Sequence, residues 1–141
     1  FVHAFTGFVN LLSQRDDEVF HAAKKSVMEA VDPEGLLLFD MIPALGPLLD
    51  IDGKSATHYV KGVISQSQLK TVFCKFVLAI CSPKEPLVLC IDDLQWADPA
   101  SLGLFQSLAI MENCQGLVLV ATCRDNEVSE SNPVAEMLCS L

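Results

Sequence analysis

Positive charge is scarce in this chain. Nine Lys and Arg stand against 18 Asp and Glu, for a net charge of -9, and no basic stripe accompanies the aromatics. Direct nucleic-acid binding normally needs such a positive footprint, so it is disfavoured. Long apolar runs are also missing. None approaches the ~20 residues that span a bilayer, and no basic-then-apolar leader opens the chain, so no membrane role is expected and a cytoplasmic setting is the default. The cysteines at 74, 81, 90, 114, 123 and 139 never form Cys-x-x-Cys. They fall largely in apolar stretches and read as small core residues in a reducing compartment, not as a disulfide or zinc framework. His3, His21 and His58 lie in separate segments without metal-site spacing. No Gly-x-Ser-x-Gly elbow or Cys/His motif supports nucleophilic hydrolase chemistry.

What is present is apolar. Hydrophobic residues make up 51% of the 141 positions and mean hydropathy is +0.40, high for a free-standing domain, so part of this surface is expected to meet neighbours in a larger protein. The start at Phe1 and the stop at Leu141, inside a helix opened by Asn132-Pro133, read as cuts through such a sequence.

The most informative stretch runs from Pro86 to Ser101. Leu87 to Ile91 is apolar without alternation, the pattern of a parallel strand covered on both faces. Asp92 and Asp93 follow at its carboxyl end, the edge where open parallel sheets bind ligands. Two carboxylates there suit a divalent cation and a reacting water: Asp92 to hold Mg²⁺, Asp93 to orient or deprotonate the water. The same pair could equally end a strand and begin a solvated turn. Asp98-Pro99 is a helix start, Asp at the N-cap and Pro at the first helical position. Leu102, Phe105, Leu108 and Ala109 then mark one helical face, with the helix ending near Asn113 and Gly116.

A second apolar run, Leu117 to Ala121, leads into Thr122-Cys-Arg-Asp125. Strand, helix and strand make a βαβ crossover with parallel strands, which puts Thr122 and Arg124 on the same edge as Asp92 and Asp93. A hydroxyl and a guanidinium there could read a terminal phosphate. Upstream, residues 1–83 read as helical. Phe1, Phe5, Phe8 and Leu12 form one stripe, and Val19, Phe20, Ala23, Val27 and Ala30 form another that ends at Asp32-Pro33. Leu36 to Ile42 is a short apolar segment, 47–57 the loop, and 64–80 a helix whose Leu69, Val72, Phe73, Phe76 and Ile80 face the sheet.

Pro86-Leu-Val-Leu-Cys-Ile-Asp-Asp-Leu-Gln-Trp-Ala-Asp-Pro-Ala-Ser-Leu102 resembles the Walker B segment of the Orc1-like AAA ATPase domains, close to the STAND class of signalling ATPases. Leu117 to Val128, ending Cys-Arg-Asp-Asn-Glu-Val, resembles their next strand with its sensor arginine. Such domains occur in large signalling proteins that also carry serine/threonine kinase, GAF and histidine kinase domains. Phe5 to Leu12, Leu36 to Leu45 and Phe73 to Pro86 resemble, less specifically, the helical stretch before Walker B. The resemblance implies an α/β fold: a partial P-loop NTPase core, with helices over 1–83, a Walker B strand, helix and sensor strand over 84–128, and the next helix opening over 129–141. It implies ATP and Mg²⁺ as cofactors, Asp92 for the metal, Asp93 in the catalytic acid position and Arg124 as phosphate sensor. Trp96 and Asp98 match the signature that follows the strand. Many AAA ATPases carry Glu where this chain has the shorter Asp93.

The family's Gly-x-x-x-x-Gly-Lys-[Ser/Thr] loop does not occur here. Gly53-Lys54-Ser55 contains part of it, but Leu48 stands where the first glycine would be, and no apolar strand leads in. These residues alone are therefore expected to bind ATP poorly. Two readings follow: the Walker B and sensor portion of a Mg²⁺-dependent ATPase, or a non-hydrolysing nucleotide switch or interaction module, in which ATP or ADP occupancy sets the arrangement of partner domains or of an oligomer. A third, an unrelated metal-dependent phosphohydrolase, would need further acids near strand ends, for which Asp125 is the near candidate.

Overall fold

A computed structural model describes residues 1–51, 65–112, 114–128 and 132–141. The chain divides into two units, Phe1–Ile80 and Cys81–Leu141.

The first unit is helical: α1 (Val2–Leu12), α2 (Asp17–Val31), α3 (Gly35–Met41), α4 (Gly46–Leu49) and α5 (Gln66–Ile80). The apolar spacing dictates which sides meet. Phe5, Val9 and Leu12 of α1, Val27 and Val31 of α2, Leu38 of α3, and Val72, Phe73, Phe76 and Val77 of α5 are buried. Phe5 stands edge-on to Phe73 and Phe76, with ring centroids 5.4 and 5.2 Å apart. The α5 face expected to meet the sheet is thus occupied by helices of its own unit, and its centre is Val72 to Val77 rather than Leu69 and Ile80. An amphipathic stripe reveals that a face is buried, not what buries it. The segment Leu36 to Ile42 is mostly helical, and Pro43 ends α3 by opening a 3₁₀ turn. The Gly53-Lys54-Ser55 stretch and His58 lie outside the described residues.

The second unit carries β1 (Leu87–Ile91), α6 (Pro99–Ala109), β2 (Leu117–Ala121) and α7 (Pro133–Cys139). The strands pair in parallel, Leu87 opposite Leu117 and Ile91 opposite Ala121, giving a helix-rich α/β fold with a small two-stranded parallel sheet, compatible with part of a P-loop NTPase core. Asp98 caps α6 by accepting the Ser101 N–H at 2.9 Å and its hydroxyl at 2.8 Å, and Leu102, Leu104, Phe105 and Leu108 are buried. Ala109, expected on that face, is exposed. Asn132 opens α7 by accepting the Val134 N–H.

The expectation of a strand covered on both faces is corrected. Leu89 is buried, but Val88 is 56% exposed, and Cys90, Val118 and Val120 on the same face are exposed too. A continuous apolar run cannot distinguish two covered faces from one. The cysteines divide likewise: Cys90, Cys123 and Cys139 are exposed, contrary to their reading as core residues, while Cys74, Cys81 and Cys114 are half-buried. Among the described residues no helix is long and apolar enough to cross a membrane.

Candidate functional site

Parallel pairing carries both strands to a common carboxyl edge. There the Thr122 N–H donates to the Ile91 carbonyl at 3.0 Å, and the Leu94 N–H donates to the Thr122 carbonyl at 2.8 Å. These two bonds extend the ladder one step beyond the strands. They fix Thr122 beside Asp92 and Asp93, although Thr122 lies 29 positions after Asp93 in the chain.

Thr122 works in both directions. Its hydroxyl donates to Asp92 Oδ1 and accepts the Asp93 backbone N–H at 3.0 Å. Asp93 adopts the left-handed conformation, φ 54° and ψ 51°, uncommon for a residue with a side chain and best tolerated by Asn and Asp. The turn continues as a 3₁₀ helix, Leu94–Trp96, with Leu94 buried beneath it and Trp96 75% exposed.

Arg124 closes the group. Its Nε lies 3.1 Å from Asp93 Oδ1 and its Nη2 3.5 Å from Oδ2, while Nη1 lies 3.2 Å from Glu127 Oε1. The Asp93 charge first, then that of Glu127, raises the guanidinium above its already high ordinary pKa, so it stays cationic throughout the accessible pH range. Gln95 ties the parts together. Its amide nitrogen donates to Asp93 Oδ1 at 3.0 Å and to Glu127 Oε2 at 3.2 Å, and its oxygen accepts the Arg124 backbone N–H at 3.2 Å.

The sequence-predicted residues Asp92, Asp93, Thr122 and Arg124 therefore meet at one edge. Asp98 stands apart, holding α6, and the Ser101 backbone N–H, followed by the Ser101 hydroxyl, keeps its carboxyl below the usual carboxylate range. Gln95 and Glu127 were missed. Both lie in stretches whose pattern resembles the ATPase family, and the available signal was spacing: Glu127 follows Arg124 by three residues, within side-chain reach on a helical turn.

The donor set tests a divalent cation. Asp92 and Asp93 carboxylates and the Thr122 hydroxyl are hard oxygen ligands suited to Mg²⁺. They are too few to hold it alone, and among the described residues no group of three or more His, Cys, Asp or Glu could hold a metal. Mg²⁺ characteristically takes one or two carboxylates and completes its shell with water and substrate phosphate, and the residues present fit that mode. They do not fit an all-carboxylate phosphohydrolase centre, for which Asp125 was the near candidate. A separate open groove of about 530 Å³ in the first unit is lined by Met28, Val31, Leu36, Leu49 and Ile51 together with Glu29 and Asp32. None of the predicted site residues lines it.

Neither the curated proteins nor the solved structures compared with this chain give a match. A family model, that of the AAA ATPase domain, matches residues 1–120, a span that takes in β1, both aspartates and nearly all of β2. The chain belongs to the AAA ATPase domain family, of the P-loop NTPase type.

Proposed function

We propose that this chain is the Walker B and sensor portion of a Mg²⁺-dependent ATP-binding and ATP-hydrolysing domain, of the Orc1-like kind, within a multidomain signalling protein. Family membership supports nucleotide binding of the ATPase type. The observation that carries the finer reading is the convergence of Asp92, Asp93, Thr122 and Arg124 at the carboxyl edge of two parallel strands. The family match ends at residue 120, so Thr122 and Arg124 enter on geometry, and Arg124 also on the resemblance of the segment Leu117 to Val128.

In this reading Asp92, oriented by the Thr122 hydroxyl, holds Mg²⁺. The ion, when bound with ATP, neutralises charge on the phosphates. Asp93 orients the attacking water and takes its proton, and Arg124 stabilises charge developing on the terminal phosphate. Arg124 already spends two donors on Asp93. A phosphate that draws Arg124 away frees the Asp93 carboxylate for water, so one residue both senses the nucleotide and releases the acid.

The same ion pair favours a second reading, a nucleotide switch without turnover. If Arg124 stays on Asp93, occupancy by ATP or ADP can set the arrangement of kinase, GAF or histidine kinase domains, or of an oligomer, without hydrolysis. The discriminating experiment uses the full-length protein with its own phosphate loop, measuring ATP affinity and phosphate release. Asp93→Asn should keep ATP binding and lose turnover, while Asp92→Asn should lose the Mg²⁺ dependence of binding. Unchanged hydrolysis in Asp93→Asn would remove Asp93 from the mechanism, and no hydrolysis by the wild type would establish the switch.

A further inference from the structure

Two of the six cysteines lie on segments that the βαβ crossover brings together at the amino-terminal edge of the strands. Cys81 opens the connection into β1, and Cys114 lies in the connection that runs from the end of α6 at Ala109 to β2 at Leu117. The backbones of these connections are in direct contact. The Leu87 N–H donates to the Gly116 carbonyl at 2.7 Å, and a Cβ added to Gly116 would stand 2.3 Å from the Ser82 carbonyl oxygen. Ser82 and Glu85 exchange backbone hydrogen bonds at 3.3 and 3.1 Å, and the Ser82 hydroxyl accepts the Glu85 N–H at 3.0 Å. The Cys81 side of the contact is therefore held in a closed turn.

Beside that contact the Cys81 and Cys114 side chains are near enough to interact, the neighbouring Cys114 adding to the effect of burial in pushing the Cys81 thiol up. Both are half-buried and neither is in a disulfide. Neighbouring thiols on backbone segments already in contact are the arrangement from which disulfide geometry can be reached by side-chain rotation and a small backbone adjustment. The pair is absent from the proposed ATPase chemistry, which lies at the opposite, carboxyl, end of the same strands.

We propose that Cys81 and Cys114 form a reversible intramolecular disulfide on exposure to a small-molecule disulfide, making this edge an oxidative modification site that clamps the entrances of β1 and β2 together. Cys114 makes the first attack. Burial first, and the neighbouring Cys114 second, push the Cys81 thiol up to about 12, so at neutral pH Cys81 is protonated and a poor nucleophile. The Cys114 thiolate attacks one sulfur of the small disulfide, breaking its S–S bond, and releases one small thiolate with formation of a mixed disulfide. The Cys81 sulfur then attacks the Cys114 sulfur. The second small thiolate leaves and takes up the Cys81 proton. Two electrons pass from the protein thiols to the small disulfide, and the products are the Cys81–Cys114 bond and two small thiols. Transient disulfides of this kind are the form met in reducing compartments, so the site is consistent with a chain that carries no structural bridge.

The test treats the reduced chain with glutathione disulfide at neutral pH, quenches with acid, alkylates the remaining thiols and maps the peptides by mass spectrometry. The expected result is loss of two alkylatable thiols, with a peptide containing Cys81 joined to one containing Cys114. This link should be abolished by Cys81→Ser or Cys114→Ser and retained by Cys90→Ser and Cys123→Ser. Excess dithiol should restore both thiols. Since a serine variant could fail to fold, the wild-type map is also compared in guanidinium, where the unfolded chain should give mixed pairings. Dominant linkage of Cys81 to another cysteine in the folded chain, persistent glutathionylation of Cys114 without ring closure, or the same pairing pattern folded and unfolded would each overturn the proposal.

Discussion

Replacing Thr122 with Val keeps the shape of the side chain and removes its oxygen, so it isolates what the hydroxyl does. In the wild type that oxygen donates to Asp92 and accepts the Asp93 N–H. A neutral hydrogen bond contributes about 1 kcal/mol net, and one to a carboxylate more when buried. Asp92 and Thr122 are exposed, so solvent screening holds the carboxylate bond to about 1 kcal/mol as well. The local loss is thus about 1–2 kcal/mol, which corresponds to a roughly 5–30-fold change in the equilibrium for opening the turn. Amide hydrogen exchange followed by NMR reads this directly. Protection of the Asp93 amide should fall by that factor. The Leu94 amide bonds to the backbone carbonyl of Thr122, which the substitution leaves in place, and should change less. Thr122→Ser, which keeps the hydroxyl, should stay near wild type. Unaltered Asp93 protection in Thr122→Val, or equal losses in Thr122→Val and Thr122→Ser, would refute the role assigned to the hydroxyl.

Four further outcomes are expected. Gly116→Ala should destabilise the second unit by about 2 kcal/mol or more, because φ is +96° there and the new methyl would press on the Ser82 carbonyl; urea unfolding measures it. Asp98 has a lowered folded-state pKa, so its stabilisation of α6 is present above the unfolded value of about 3.9 and is lost as pH falls through the folded value. The acid limb of a helicity titration should accordingly flatten in Asp98→Ala, and an unchanged limb would count against the cap. In the full-length protein Arg124→Ala should narrow the difference between ATP and ADP affinity in equilibrium titrations, and equal selectivity would reject the sensor role. Closing the Cys81–Cys114 bond spans a loop of roughly 30 residues and should stabilise the oxidised second unit by about 3–4 kcal/mol, read as a raised urea midpoint relative to the reduced chain.

Local chemistry was legible in the sequence wherever one segment satisfies its own backbone. Asp98-Pro99 starts α6, and Asn132-Pro133 starts α7, as their residue types require. The strand ends at Asp92 and Thr122 also follow from the sequence, because an apolar run that stops at a polar residue marks a sheet edge. Parallel pairing then needed only the crossover between them.

The partners across segments were not legible. Arg124 read as a phosphate sensor, yet in the folded chain it lies on Asp93 and Glu127, with Gln95 bridging all three parts. An arginine side chain reaches several carboxylates, and only the register of β1 against β2 selects which. The α5 stripe announced a buried face, while its neighbours were decided by helix packing around Phe5.

By itself the sequence determined the element types near the site, the acidic character of the strand edge and the family to which the chain belongs, since these depend on hydrogen-bonding and burial patterns that short windows contain. Tertiary structure alone decided that the sheet exposes Val88, Cys90, Val118 and Val120, that Thr122 orients both aspartates, and that Cys81 meets Cys114. Those outcomes depend on distances between residues about 30 positions apart, and chain order does not specify such distances until the strands have paired.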